Sequence, residues 1–475
     1  MNPLKKSVSH KNRAIAAMVA LTFLGGCATF SKDNGLSTVQ SATKARGLEQ
    51  DVQWIKTEQD GENARATVKK LLAAPLTADT AVQIALLNNR GLQATYAELG
   101  IAEADVVQAG RLVNPGFTFE RLHRGDDVSI DRTFLFNILG LITMPIRTDI
   151  EKRRFALTQG RVAAETLQTA ADTRRAWHSA VAAQESVKYM EQVRMAAESS
   201  AELARRMAAV GNFSKLDQAR EQSFYAEATA QLARVKQQTL VERERLIRLL
   251  GLWGEDIAFK LPERLPDLPK TPRDIVDLES TALRQRLDVQ GAMQEAENIA
   301  STMGLTKATG FVNVLEVGYR RNSETGQPRQ TGYEIELRLP IFDWGNARRD
   351  AMNARSLAAA NRYDSAVRNA TSQVRESYSA YRTAYDVARH YRDEIVPLRK
   401  TMADENLLRY NGMLIGVFEL LADNREQISA VLAALNAHQQ FWLADAALSA
   451  SMTGKPTAMG AMSLAGGGAA AEAGH

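Results

Sequence analysis

Two stretches of this chain keep helical character for far longer than a globular core can bury. From Trp344 to about Tyr410 the sequence is charged and alanine-rich, with no glycine after Gly345 and one proline, Pro397. A helix of roughly 65 residues is about 100 Å long at 1.5 Å per residue. Residues 145–210 make a looser version of the same stretch. Each follows a short run that alternates apolar and polar residues, the clearest being Tyr333-Glu-Ile-Glu-Leu-Arg-Leu-Pro340. A strand feeding a very long helix, made twice in one chain, predicts a tube and excludes an ordinary globular domain.

The N-terminus sets the compartment. Lys5, Lys6, Lys11 and Arg13 precede an apolar run from Ala14 to Leu24, the pattern of a secretory signal occupying residues 1–26. The run is too short to span a bilayer as a helix. It ends in Leu24-Gly25-Gly26-Cys27, and Cys27 is the one cysteine of the chain. This resembles the lipobox of bacterial lipoproteins, which implies that Cys27 is the lipid-attachment residue. Cleavage near Gly26 or Ala28 with an incidental cysteine is the alternative. Ala28 lacks the aspartate that holds many lipoproteins in the inner membrane, which favours the outer membrane. The formal charge of +4 falls to near zero once the basic signal is removed, so no electrostatic footprint for nucleic acid is left. A single cysteine also excludes a disulfide framework.

After the signal there is no apolar stretch of about 18 residues. Residues 134–146 come closest, interrupted by Asn137 and Pro145. A chain like this can cross a membrane only as part of a β-barrel. An N-terminal arm covers 27–76, with a short helix near Ala64–Ala73. The first repeat covers 77–251: a helix with Thr77 as N-cap, a β-hairpin over 117–138 with a polar loop at His123–Asp131, and a helical hairpin over 145–250. Ser214 is expected to cap its second arm. A proline-rich linker, 252–274, carries Pro262, Pro266, Pro269 and Pro272. The second repeat covers 275–452: a helix to Ala308, a β-hairpin over 311–339 with a polar loop at 322–332, and a helical hairpin over 344–451. Residues 453–475 read as a disordered Gly/Ala tail. Asp217-Gln-Ala-Arg-Glu-Gln-Ser223 in one repeat resembles Asp423-Asn-Arg-Glu-Gln-Ile-Ser429 in the other.

Residues 333–339 place Tyr333, Ile335, Leu337 and Leu339 on one face and Glu334, Glu336 and Arg338 on the other, as in a strand with lipid outside and water inside. Two hairpins give four strands, which cannot close a barrel, and open edges are not tolerated in lipid. Several chains must share one barrel, and three copies would supply twelve strands. The alanine faces let helix axes approach closely, and coiled-coil pairing between hairpins is the natural burial. The fold class expected is therefore mainly α with a transmembrane β portion. A lipid-anchored coiled-coil scaffold without a channel is the alternative. No catalytic constellation competes, so no enzyme activity is expected. The six histidines lack metal-ligand spacing, no phosphate loop or nucleophile elbow is present, and neither cofactor nor metal is expected.

Residues Ala81–Arg90, Gly100–Asp105 and Asn114-Pro115, with Leu339-Pro-Ile-Phe-Asp-Trp-Gly345 opening the second long helix, resemble the TolC-type outer-membrane efflux proteins over about 77–452. The lipobox is similar to that of the family's lipoprotein branch. The resemblance implies a homotrimer with a twelve-stranded barrel in outer-membrane lipid and a trimeric α-barrel reaching into the periplasm of a Gram-negative bacterium. Its tips would dock a periplasmic adaptor (membrane fusion) protein linked to an inner-membrane pump of the RND or ABC type. The tips are Val210, Gly211 and Asn212, which keep the family's Val-Gly, and Asn411, Gly412 and Met413, which depart from it. The family's acidic gate would be carried by Asp217 and Glu419, with Ala422 followed by Asp423 at the next position. On the residues alone, acids in first turns equally serve to stabilise helix starts. The activity implied is passive export of small molecules or metal ions through an exit duct; the exit duct of a protein-secretion system has the same architecture.

Overall fold

The computed structural model describes residues 29–308, 314–338, 341–342 and 344–454. Cys27, the tail, and residues 311–313 and 339–340 of the expected second hairpin lie outside them. Two compact units each draw on both sequence repeats: one is built from 96–162 and 290–365 with the segment up to Val39, the other from 40–95, 163–289 and the chain from Ala366.

The elements run α1 (Leu36–Lys44), α2 (Glu58–Leu72), α3 (Ala78–Asn88), α4 (Arg90–Ala109), β1 (Gly116–Arg124), β2 (Asp127–Asn137), α5 (Ile138–Ala209) and α6 (Lys215–Leu250). After a 3-10 turn, Gly254–Ile257, come α7 (Leu278–Gln285), α8 (Leu287–Ala308), β3 (Leu315–Glu324), β4 (Gln330–Leu337), α9 (Asn346–His390), α10 (Val396–Asn411) and α11 (Val417–Thr453). The fold is mainly helical with one four-stranded antiparallel sheet in the order β1-β2-β3-β4.

Caps explain where several helices start. Thr77 accepts from Thr80 N at 3.1 Å, and Ser214 accepts from Asp217 N at 3.1 Å, as expected from the sequence. The long α5 begins earlier than its proline suggests. Asn137 Oδ1 accepts from Gly140 N at 2.5 Å, so the helix starts at Ile138 and Pro145 sits inside it. The polar segment 123–131 is not a loop. It continues both strands to a two-residue turn, with Arg124 opposite Asp127 and Gly125 at φ +61°, as such tight hairpins require. In the same way β3 and β4 extend into the expected loop 322–332, which shrinks to residues 325–329. Polar residues stay in strand because the ladder, not apolar burial, holds them.

The helix preceding each hairpin is broken, at Asn89 (ψ 112°) and at Arg286 (ψ 121°). Both breaks serve the far end of the returning helix. Asn88 Nδ2 donates to Gly251 O at 2.7 Å, and Asn89 Nδ2 donates to Leu249 O at 2.9 Å, satisfying carbonyls that the end of α6 leaves open. A Cβ at Gly251 would meet Asn88 O at 2.6 Å, so that end requires glycine twice over, its φ being +66°. In the second repeat the fully buried Arg286 donates to Ser451 O at 3.1 Å and forks onto Asp288 at 2.7 and 3.0 Å.

The helix from Asn346 is interrupted at Tyr391–Ile395 by a π turn. Pro397 lacks an N–H and crowds the carbonyl four residues back, and one wide turn relieves both. The proline-rich linker is a pinned strap. Trp442 Nε1 donates to Pro266 O at 3.0 Å, Tyr385 Oη to Lys270 O at 2.9 Å, and Arg243 Nη2 to Phe259 O at 2.7 Å. Phe259, Leu265 and Leu268 are buried beneath it. The N-terminal arm is held too: Glu103 accepts from Ser31 N at 2.6 Å and from Asn34 Nδ2 at 2.7 Å.

Arg286→Ala is expected to destabilise the chain by roughly 3 kcal/mol, because Asp288 is left without its partner and Ser451 O without its donor. A urea or thermal melt measures this; a loss below about 1 kcal/mol would mean that the clamp is dispensable.

Candidate functional site

The register sorts the sheet's side chains onto two faces. Phe117 stands opposite Phe134, Phe134 opposite Tyr319 and Tyr319 opposite Tyr333. One aromatic row thus crosses all four strands, with the Phe117 and Phe134 rings 4.8 Å apart. One step nearer the helices lie Phe136, Val317 and Ile335. All are exposed, Tyr333 by 82%, so this apolar face has no cover among the described residues. The other face carries Glu120, Asp131, Thr133, Arg320, Asn322, Glu334 and Glu336. There Arg320 Nε donates to Asp131 at 2.6 Å, and Ser129 bonds Asn322 at 3.2 Å. The alternation seen at 333–339 is therefore a property of the whole sheet. No helix among the described residues is long and apolar enough to cross a membrane.

The second set of functional candidates lies where the hairpins turn. At the first turn Gly211 adopts φ +80°, and Asn212 N donates to Met207 O at 2.9 Å, closing the helix end. Its neighbour Val210 is exposed. At the second turn the left-handed residue is Met413, at φ +58°, and not Gly412. Leu414 N closes that turn on Arg409 O at 2.9 Å. The tip residues that correspond are thus Gly211 and Met413, one place later than Gly412. Asn411 ends α10, and Met413 and Leu414 project into solvent, the former 93% exposed.

The acidic candidates divide. Asp217 accepts from Ser214 Oγ at 2.6 Å and lies 3.3 Å from Arg220, so it stabilises the start of α6. Glu419 is exposed in the first turn of α11. Asp423 is half-buried, and its Oδ2 has no partner among the described residues.

The pair that joins the two hairpins was not singled out from the sequence. Glu221 of α6 is fully buried and accepts from Arg425 of α11. The Arg425 guanidinium lies 4.8 Å from the Phe224 ring centre. Burial raises the proton affinity of Glu221, Arg425 opposes this, and Asp217 adds to it. Glu221 Oε2 and Arg425 Nε are left without partners among the described residues. The signal was present: Arg220-Glu221 and Arg425-Glu426 are the matching dipeptides of the two related segments.

Elsewhere the aromatic core includes a buried histidine. His178 stacks on Trp442 at 5.1 Å, and burial lowers its pKa to about 4, so it is neutral packing. Among the described residues no group of His, Cys, Asp or Glu is arranged to hold a metal ion.

Comparison with known proteins agrees with this geometry. Residues 278–452 match the outer membrane efflux protein family. No curated protein matches the chain by sequence. Among solved structures, a membrane protein from Pseudomonas aeruginosa superposes with a TM-score of 0.68 at 20% identity, covering 82% of this chain and 93% of that one. The outer-membrane protein VceC from Vibrio cholerae gives 0.64 at 13% identity, over 83% of this chain and 97% of its own. The open state of the MtrE outer-membrane channel from Neisseria gonorrhoeae gives 0.66 at 19% identity, with 82% and 89% covered. The fold is that of the TolC-type outer-membrane channels.

Because a left-handed methionine is strained, Met413→Gly is expected to stabilise the hairpin by about 1 kcal/mol. Calorimetry of the purified protein reads this directly; an unchanged or lower melting temperature would show that the turn gains more from the side chain than it loses in strain.

Proposed function

We propose that this chain is the passive exit duct of an efflux system, closing in three copies around one transmembrane barrel. The observation that carries this reading is the four-stranded sheet with one aromatic and aliphatic face, one polar face and two unpaired edges. Lipid fits the first face and water the second. Each free edge needs a strand from another chain, and three chains complete twelve strands. Exposed Leu203, Leu240, Leu357 and Leu407 on the long helices give neighbouring protomers apolar surface to share.

Cys27 is proposed as the lipid anchor. Three residues lie between it and Ser31, and four peptide steps reach at most about 14 Å. Ser31 is tied to α4 through Glu103, in the same unit as the sheet. Val210, Gly211 and Asn212, with Asn411, Gly412 and Met413, are proposed to dock a periplasmic adaptor connected to an inner-membrane pump of RND or ABC type. The exposed Val210, Met413 and Leu414 are the apolar anchors such a contact needs. Small molecules or metal ions are the proposed cargo.

Glu221 and Arg425 are proposed to latch the two hairpins, with Asp217, Glu419 and Asp423 lining the gate they hold. Linkage fixes the sign. A carboxylate whose proton affinity is raised in the packed arrangement favours that arrangement when protonated. Packing contributed by Glu221 is thus fully present at and below the ordinary glutamate range and is lost as pH rises through the raised value.

The test is single-channel recording of the purified oligomer in a planar bilayer. Discrete steps are expected, with open probability rising with pH in the wild type and nearly constant in Glu221→Gln. Glu419→Ala is expected to raise conductance or reduce its block by cations, since a ring of like charges binds them. A silent bilayer from both the wild type and these gate variants, in a folded trimer, would overturn the channel reading.

A further inference from the structure

The apolar face of the sheet does not stay apolar toward the hairpin turns. One step beyond the row Phe117, Phe134, Tyr319 and Tyr333, the next row reads Phe119, Arg132, Arg321 and Thr331. Arg132 and Arg321 stand directly opposite one another across β2 and β3. Arg121, opposite Ile130, is a diagonal neighbour of Arg132. Three guanidinium groups thus gather on the outward face over three adjacent strands. Like charges opposite each other on a sheet repel, and the repulsion grows as the surroundings become less polar.

Among the described residues no carboxylate pairs with them. By the register, every carboxylate of the four strands, from Glu120 and Asp131 to Glu334 and Glu336, lies on the other face. That face keeps its own ion pair, Arg320 with Asp131. Arg132 instead rests 5.8 Å from the ring centre of Phe119, a contact that leaves its charge available. Arg121 and Arg321 are exposed.

An arginine on the lipid face is unfavourable at the bilayer midplane and tolerated near the interface. Aromatic rows mark that interface; Arg132 and Arg321 lie about 7 Å beyond such a row, two residues along each strand, and Arg121 lies one further step out on β1. This depth is where lipid headgroups begin. We propose that Arg121, Arg132 and Arg321 bind the phosphate of a phosphorylated lipid headgroup in the outer leaflet, whose acyl chains lie against the aromatic row and the aliphatic row below it. Guanidinium forks match phosphate oxygens in pairs, and one phosphate between Arg132 and Arg321 converts their repulsion into two attractions. The site rests on the barrel reading given above, because that reading puts the turns outside and this face in lipid.

The test uses the full-length oligomer in nanodiscs doped with diphosphorylated lipid A or with its dephosphorylated form, with bound lipid counted by native mass spectrometry. The wild type is expected to retain the phosphorylated lipid at least about tenfold more strongly, the weight of one lost charged hydrogen bond. The double variant R132Q/R321Q is expected to lose that preference while its ion conductance stays as in the wild type. Should the double variant fail to assemble, R321Q alone is read in the same way. Equal retention of both lipids by the wild type, an undiminished preference in the variant, or displacement of the lipid by millimolar inorganic phosphate would overturn the site. A wild type that conducts but shows no preference would sink this site alone. One that holds phosphorylated lipid yet never conducts would sink the duct and leave the site standing.

Discussion

Two unpaired strand edges govern what this molecule can be. β1 and β4 end the sheet, and among the described residues no strand pairs with the outer edge of either. In water such edges invite aggregation, and in lipid each open group costs several kcal/mol. The bare aromatic face suits lipid on one side, and in the proposed assembly strands of other chains close the edges. The long helices carry the same requirement. A helix of 72 residues buries one side within the chain, through Ala176, Trp177 and Val181 among others, and leaves residues such as Leu203 exposed along its length.

The two repeats meet this requirement with different chemistry at equivalent places. The break before the first hairpin is secured by two asparagine amides and a glycine that lets the backbones touch. The break before the second uses one buried arginine with its own carboxylate. Both deliver donors to carbonyls at the end of a returning helix, where the helix dipole is negative. At the tips the substitution runs the other way, with glycine in one left-handed turn and methionine in the other. Duplicated architecture has been kept while the residues that hold it have diverged.

Much of this was legible in the sequence because it rests on local patterns. Thr77 and Ser214 cap helices since their hydroxyls sit one residue ahead of a periodic run, and residues 333–337 alternate because one face meets each solvent. The order of strand, long helix and return helix was equally plain. What sequence reasoning missed depends on partners far along the chain. Residues 123–131 look like a loop because they are polar, yet the ladder keeps them in strand. Helix α5 starts at Ile138 because Asn137 caps it, a choice that Pro145 conceals. The proline-rich strap reads as a tether until Trp442 and Tyr385 are seen to hold its carbonyls. Glu221 meets Arg425 across a separation of 204 residues, and only the matching Arg-Glu dipeptides hinted at it.

The ladder between β2 and β3 has a consequence for the order of events in the chain's life. The contact just beyond its end joins Val128 to Thr325, 197 residues along the chain, and among the described residues only β3 pairs with β2 on that side. Contacts so remote in sequence form slowly, since the loop must close before anything is gained. As the chain is made from its N-terminus, the first hairpin therefore exists with its aromatic row bare and one edge open until the second hairpin follows. For that interval it is the segment most prone to wrong pairing, and the lag between the two hairpins sets how long that exposure lasts.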